Sequence, residues 1–202
     1  MNKNILLTGA TGGIGKTTVN YLMERNFNCI VVGRDKNKLK DITDGNDKAK
    51  SIDYDLNDIR HIGDIFKNLY EDGIKLDGMV HCAGLSPLMR VQDNDVDRME
   101  ETFKVNLFSF IELVKYFSDE KMYNPGASVV AISSVAARGS SYRQTVYGAS
   151  KAALEQAIRC MAKECREKQS RINGVAPGAV ETEMLKKMEE ENVDLVKSIE
   201  KK

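Results

Sequence analysis

The apolar run Ile5-Leu6-Leu7 leads directly into Thr8-Gly9-Ala10-Thr11-Gly12-Gly13-Ile14-Gly15-Lys16-Thr17-Thr18, a turn of small residues that opens a helical stretch. A strand, a glycine turn and a helix start in that order make an anion cradle, because the backbone can approach a phosphate whose charge rests on the helix N-terminus. The turn fits two kinds of nucleotide loop. Read as Gly9-x-x-x-Gly13-x-Gly15, it suits the pyrophosphate of a dinucleotide; read as Ala10-x-x-x-x-Gly15-Lys16-Thr17, it approaches the P-loop of a nucleotide triphosphatase, with Ala in place of the first Gly. A P-loop also requires an apolar strand ending in Asp to hold magnesium. The candidate runs Gly78-Met79-Val80-His81-Cys82 and Ser128-Val129-Val130-Ala131-Ile132-Ser133-Ser134 end in Cys-Ala-Gly and Ser-Ser, and Lys16 is then a solvent-facing residue of the first helical turn. Thr18 occupies the last glycine position of a strict G-x-G-x-x-G, so the loop alone indicates a phosphate-bearing nucleotide and no more.

The remainder of the chain alternates short β-branched runs with longer stretches of helical period. That pattern predicts an α/β doubly wound parallel sheet, Rossmann-like, in a single domain with about six strands and helices on both faces. Strands are expected at 3–8, 28–33, 50–54, 77–82, 127–133 and 171–176, and helices at 14–26, 35–42, 58–72, 93–121 with a break near 105, and 145–168. Residues 1–182 form the dinucleotide-binding catalytic unit, and 183–202 a charged helical segment of the same domain that could serve as a lid. Ligands of such sheets sit beyond the carboxyl ends of the strands. The loops there hold Gly9 to Gly15, Gly33-Arg34, Asp55, Ala83-Gly84, Ser134 and Pro177-Gly178.

Lys plus Arg and Asp plus Glu each number 30, so no global field points to nucleic acid or an anionic membrane. No apolar run reaches the length of a bilayer span, and the start of the chain does not resemble a secretion signal, which predicts a cytoplasmic protein. Cys29, Cys82, Cys160 and Cys165 form no C-x-x-C pair, and His61 and His81 stand far apart, so no metal site is expected.

Tyr147 and Lys151 lie four apart on one face of a predicted helix. With Ser134 at a strand end and Asn106 in an earlier helix, they supply what reduction of a carbonyl requires. Hydride transfer places negative charge on the carbonyl oxygen, which needs a hydrogen-bond donor and a proton source beside it. A phenol can be both if a neighbouring ammonium favours its phenolate, and working near neutrality asks for a shift of about three units from a pKa of about 10.

Several stretches in order now match one family. Over nearly all of residues 1–190 the chain resembles the short-chain dehydrogenase/reductases, through Thr8 to Gly15, Asp55-Leu56, Ala83-Gly84, Val105-Asn106, Ser134, Tyr147-Gly148-Ala149-Ser150-Lys151-Ala152-Ala153 and Pro177-Gly178-Ala179-Val180-Glu181-Thr182. The resemblance implies a catalytic tetrad of Asn106, Ser134, Tyr147 and Lys151, with Asn106 binding a water that links Lys151 to solvent. It implies cofactor contacts from Gly9, Thr11, Gly13, Ile14, Gly15, Asp55, Leu56, Ala83, Gly84, Tyr147, Lys151, Pro177, Gly178, Val180 and Thr182, with Asp55 on the adenine amino group and Val180 and Thr182 on the nicotinamide carboxamide. The family's Asn-Asn-Ala-Gly appears as His81-Cys82-Ala83-Gly84, so two amides that knit strands together are replaced.

The second strand ends in Gly33-Arg34 rather than in an acidic residue, and Arg34 can fork onto a 2′-phosphate, so NADP(H) is favoured. Pairing of Arg34 with Asp35 would keep NAD(H) as the alternative, and Gly12 at a position often basic in NADP enzymes weakens the preference.

A small carbonyl or alcohol is the expected substrate, and the Pro177 to Met184 stretch resembles 3-oxoacyl-carrier-protein reductases. Arg90, Arg138 and Arg143, in segments expected to line the pocket, could attract an anionic or acyl-carrier-bound form. Family members commonly continue through a further strand and much of a dimer interface, whereas this chain stops at Lys201-Lys202, which argues against the homo-oligomer otherwise expected. The stripe Met184, Leu185, Met188, Leu195, Val196 and Ile199 has nothing evident to cover it. Two other functions remain open at this point: a non-catalytic dinucleotide-binding module, and a P-loop nucleotide triphosphatase.

Overall fold

In the computed structural model, which describes residues 3–167 and 169–191, six parallel strands run in the order β3-β2-β1-β4-β5-β6. They are β1 (Asn4–Thr8), β2 (Asn28–Gly33), β3 (Ala49–Asp53), β4 (Leu76–His81), β5 (Tyr123–Ile132) and β6 (Arg171–Val175). The reversal of strand order between β1 and β4 opens a crevice at their carboxyl ends, where a doubly wound sheet binds its ligand. The expected fold class stands.

Strand alternation divides the core in two. Leu6, Ile30 and Val32 face one way and join α3 (Gly63–Glu71), α5 (Ser109–Phe117) and α6 (Thr145–Glu167) in the larger cluster. Leu7, Cys29 and Val31 face the other way, onto Val19 of α1 (Gly13–Glu24) and Leu39 and Ile42 of α2 (Lys36–Thr43). β1 and β2 therefore read as unbroken apolar runs, as strands covered on both faces do. Toward the other edge cover thins. Val175 on β6 is exposed, and Val130 and Ile132 on β5 are half-buried.

Capping and strain set the helix ends. Asp35 accepts the amides of Asn37 and Lys38 at 3.1 Å and starts α2, while Asn26, with φ of 64°, turns the chain out of α1. Asp95 caps α4 (Val96–Phe103) through the Arg98 amide. The break expected near residue 105 is a π-helical turn, Lys104–Phe108, between α4 and α5, and such widened turns recur at functional sites. It carries Asn106 into the interior.

The final described helix, α7 (Glu183–Glu191), falls in the segment expected to be helical and charged. Its apolar stripe is covered only in part, since Met184 stays 41% exposed and Leu185 half-buried. Met188 is buried against Leu88, and Lys38 reaches Glu183 at 3.5 Å from α2. Leu195, Val196 and Ile199 lie outside the described residues. No helix among the described residues is long and apolar enough to cross a membrane.

Candidate active site

Two adjoining cavities open at the crevice. One, of about 650 Å³, is lined by the glycine turn, Gly33-Arg34, Asp55-Leu56, Ala83-Gly84 and the start of α7; the other, of about 170 Å³, holds Ser134, Tyr147 and Lys151 beside Pro177, Gly178 and Val180. Ile14, Gly84 and Thr182 belong to both. The structure thus brings together at one rim every residue expected in the site except Asn106, which lies buried behind it.

The glycine turn owes its shape to two close approaches. Gly9 has φ of 66°, and a Cβ there would sit 2.7 Å from Ala83 Cα, so the turn after β1 can lie against the turn after β4 only without a side chain. A Cβ on Gly15 would overlap the Gly9 carbonyl oxygen and come 3.1 Å from Ala10 Cα, so α1 packs tightly on its own loop. No acidic residue occupies the first turn of α1 and no side chain caps it, leaving its first amides directed at the larger cavity. A pyrophosphate fits this cradle.

The P-loop alternative fails on the same geometry. Lys16 is exposed and lines neither cavity, β4 and β5 deliver no carboxylate to the crevice, and the described residues contain no metal-ligating cluster.

The candidate catalytic groups come from three elements. Ser134 lies two residues past the end of β5, and its oxygen accepts the Ala136 amide of the following single 3-10 turn (Val135–Ala137) at 3.1 Å. Tyr147 and Lys151 stand one turn apart on α6, with the Lys151 Nζ 5.9 Å from the Tyr147 ring centre. Lys151 is buried and donates to the Ile132 carbonyl at 2.8 Å. Burial lowers its pKa to about 8, against an opposing effect from the Cys82 thiol. Burial also raises Tyr147, and its bond with Ser134 opposes the rise. Among the protein's own groups burial has the larger effect, so the phenol is held neutral.

Asn106 is engaged at both ends of its amide. Its Oδ1 accepts the Leu85 amide at 2.7 Å, and its Nδ2 donates to the Leu85 carbonyl and to Ser150 Oγ, both at 2.9 Å. It ties the loop after β4 to α6, one residue from Lys151.

Several sequence expectations change. Arg34 pairs not with Asp35, which caps α2, but with Asp55 at 3.8 Å, and both remain about half exposed. Arg90 bonds Asp93 at 2.7 Å, Arg138 bonds Glu155 at 3.0 Å and Arg143 donates to the Leu88 carbonyl, and none of the three lines either cavity. The replaced amide at position 81 keeps a knitting role, since His81 Nδ1 bonds Thr8 Oγ1 at 2.8 Å across the β1–β4 pair. Burial, with Lys151 nearby, lowers the His81 pKa to about 3 against the opposing effect of the Val105 backbone. Cys82 falls just past β4 and lines both cavities, with burial pushing its thiol up to about 12.

Sequence reasoning missed Glu155. Buried on α6, it accepts Ser133 Oγ at 3.1 Å and Arg138 Nε at 3.0 Å, gripping the Ser134 turn from both sides. Its place one turn after Lys151 is visible in the sequence, but its partners are not.

A doubly wound sheet with a dinucleotide-type glycine turn and a Ser-Tyr-Lys pocket at its switch point defines an oxidoreductase of one kind. The short-chain dehydrogenase model matches residues 3–193, and the chain belongs to that family. It is 32% identical over 200 residues to a benzil reductase ((S)-benzoin forming) of Saccharomyces cerevisiae, covering 94% of this chain and 76% of that protein. It is also 28% identical over 196 residues to carbonyl reductase family member 4 of Xenopus tropicalis, covering 96% and 82%. Among solved structures, 4-hydroxyisoleucine dehydrogenase complexed with NADH superposes with a TM-score of 0.89 at 26% identity, covering 98% of this chain and 81% of the other. ElxO with NADP bound superposes at 0.85 with 23% identity over 95% of this chain and 79% of that one, a likeness of fold.

Proposed function

We propose that the chain reduces a ketone to a secondary alcohol with NADP(H), using Tyr147 as the proton donor. The observation that carries this reading is the junction of the two cavities, where Ser134, Tyr147 and Lys151 face a pocket continuous with the glycine turn. A reduced nicotinamide, when bound, supplies the hydride. Gly9, Gly13, Ile14 and Gly15 would hold the pyrophosphate, Asp55 and Leu56 the adenine end, and Pro177, Gly178, Val180 and Thr182 the nicotinamide end.

The protein's own groups do the rest. Ser134 and the Tyr147 hydroxyl donate to the carbonyl oxygen and stabilise charge as it develops there. Because burial keeps the phenol protonated, Tyr147 enters the reaction as an acid. Lys151, anchored on Ile132, is protonated at neutral pH and steadies the phenolate left after proton transfer. Both amide protons of Asn106 are committed to Leu85 and Ser150, so a water linking it to Lys151 would be held through one of its oxygen lone pairs.

Arg34 supports the preference for the 2′-phosphate. Its link to Asp55 is long and exposed, of a kind worth at most about 1 kcal/mol, so a phosphate can recruit the guanidinium. No carboxylate ends β2 to bond a 2′-hydroxyl.

Tyr147→Phe tests the assignment. It should leave NADPH affinity within a few fold and lower carbonyl reduction by about 10²-fold or more, the range of general-acid contributions. Undiminished turnover removes Tyr147 from the chemistry. In the same assay Arg34→Ala should weaken NADPH far more than NADH, and equal losses would remove the 2′-phosphate contact.

A further inference from the structure

Apart from its reacting groups, the smaller cavity is walled by Val135 and Ala136 after β5, Ala179 after β6, and Met184, Leu185 and Met188 of α7. Ser141 and Gln144 add neutral polar groups. Lys151 is the sole charged side chain that lines it among the described residues, and its ammonium is already bonded to the Ile132 carbonyl. The arginines that the sequence put forward for an anionic substrate do not line this cavity: Arg90 and Arg138 are paired with Asp93 and Glu155, and Arg143 donates to the Leu88 carbonyl with its Nε left unpartnered. At about 170 Å³ the cavity falls below the roughly 300–1,000 Å³ of pockets for drug-sized ligands.

We propose that this pocket selects compact, uncharged ketones with apolar aryl or alkyl flanks and rejects those that carry a carboxylate beside them. The inference rests on the reductase reading above and narrows its substrate class, away from the anionic and carrier-bound substrates that the arginines suggested in the sequence. The reaction is balanced with a reduced nicotinamide as reductant. The carbonyl carbon accepts a hydride with its electron pair, the C=O π bond breaks, and the oxygen takes the Tyr147 proton, which solvent replaces.

Physical selection follows from desolvation. A carboxylate on a flank seated against the apolar wall loses its hydration and meets no cation there, since the lone ammonium, Lys151, sits at the reacting end beside Tyr147, whereas an aryl or alkyl group gains by burial. Thioether side chains on α7 adapt to varied apolar shapes, so the selectivity is against charge more than against shape. Met184 is the adjustable position. It lines both cavities from the first turn of α7 and is 41% exposed, so a longer polar side chain can be accommodated there.

The test compares kcat/KM for phenyl methyl ketone and for the same ketone bearing a para-carboxylate, with NADPH as reductant. The neutral ketone should be preferred by about 100-fold or more, the scale expected when a charge is buried without a partner. Met184→Arg should narrow that ratio by about tenfold or more, by giving the carboxylate a partner. Parallel preference for both ketones in the parent chain, or an unmoved ratio in a folded Met184→Arg, overturns the proposal. If thermal unfolding shows that Met184→Arg does not fold, the parent-chain ratio decides alone. NADPH binding without turnover of either ketone fails the reductase reading itself, and this inference with it.

Discussion

Lys151 stores a cost whose sign and size can be measured. Its ammonium is buried, and its pKa falls from an ordinary 10.5 to about 8, chiefly through desolvation. The folded chain releases this proton near pH 8, whereas the unfolded chain keeps it up to 10.5, so in that window the unfolded state binds more protons and stability from this group rises with pH. Below pH 8 the whole penalty is present, about 3 kcal/mol at ~1.36 kcal/mol per pH unit. Lys151→Met removes the charge while retaining an unbranched side chain. It also leaves the Ile132 carbonyl without its donor, which costs about 1 kcal/mol. The variant should therefore be more stable than the parent by about 2 kcal/mol at pH 7 and less stable by about 1 kcal/mol at pH 10.5, while losing carbonyl reduction. Urea unfolding of both proteins at a series of pH values measures this. Taking their difference cancels other groups that titrate in the same range, such as the solvent-exposed lysines. A difference that stays flat from pH 7 to 10.5, or a variant less stable at pH 7, would refute the claim that Lys151 is held in place against its own hydration.

Two further perturbations address the scaffold. Gly15→Ala drives a Cβ into the Gly9 carbonyl, and overpacking between backbone segments costs about 1–3 kcal/mol, lowering Tm by several degrees at ~2–4 °C per kcal/mol, and weakens NADPH binding. Gly178→Ala meets nothing within 4 Å and is the control for the stability measurement, so equal Tm values for the two would remove the close-approach argument. Glu155→Ala strands Ser133 Oγ and releases Arg138, with an expected loss of about 1–3 kcal/mol and a fall in kcat that exceeds any change in NADPH Kd. Arg138→Ala, on an exposed arginine whose carboxylate keeps Arg159 at 3.7 Å, should cost less than about 1 kcal/mol; a larger effect there would show that Arg138 rather than Glu155 grips the turn.

What could be read in the sequence was what the backbone and local patterning determine. β2 falls on the residues expected, Asn28–Gly33, because its apolar run is bounded by polar turns at both ends. β5 begins earlier than its apolar run, at Tyr123. Pro125-Gly126 reads as a break, yet the sheet absorbs it as an irregularity between the Leu76–Tyr123 and Gly78–Ser128 pairs, with Gly126 at φ of 86°. The one-residue shift of β4, which ends at His81, moves Cys82 from strand to cavity lining. Periodicity could not resolve that shift. The partners of long side chains were equally hidden, since they are drawn from remote segments: Asp55 for Arg34, Glu155 for Arg138, and the Leu88 carbonyl for Arg143.

These hidden pairings bear directly on function. Arginines that look available in the sequence point away from the pocket, Arg138 bracing the turn after β5 and Arg143 the loop after β4, which leaves the pocket itself almost free of charge. The one ammonium kept inside is held where solvation opposes it, close to the ring of the phenol it serves. A fold that excludes other charges from this pocket strengthens the effect of that ammonium on a developing phenolate, because few competing fields act there. The same exclusion restricts the substrate. Strong support for the acid and intolerance of anionic ketones are then two consequences of one low-polarity wall, so a substitution that admits charged substrates at Met184 should also reduce kcat for neutral ones.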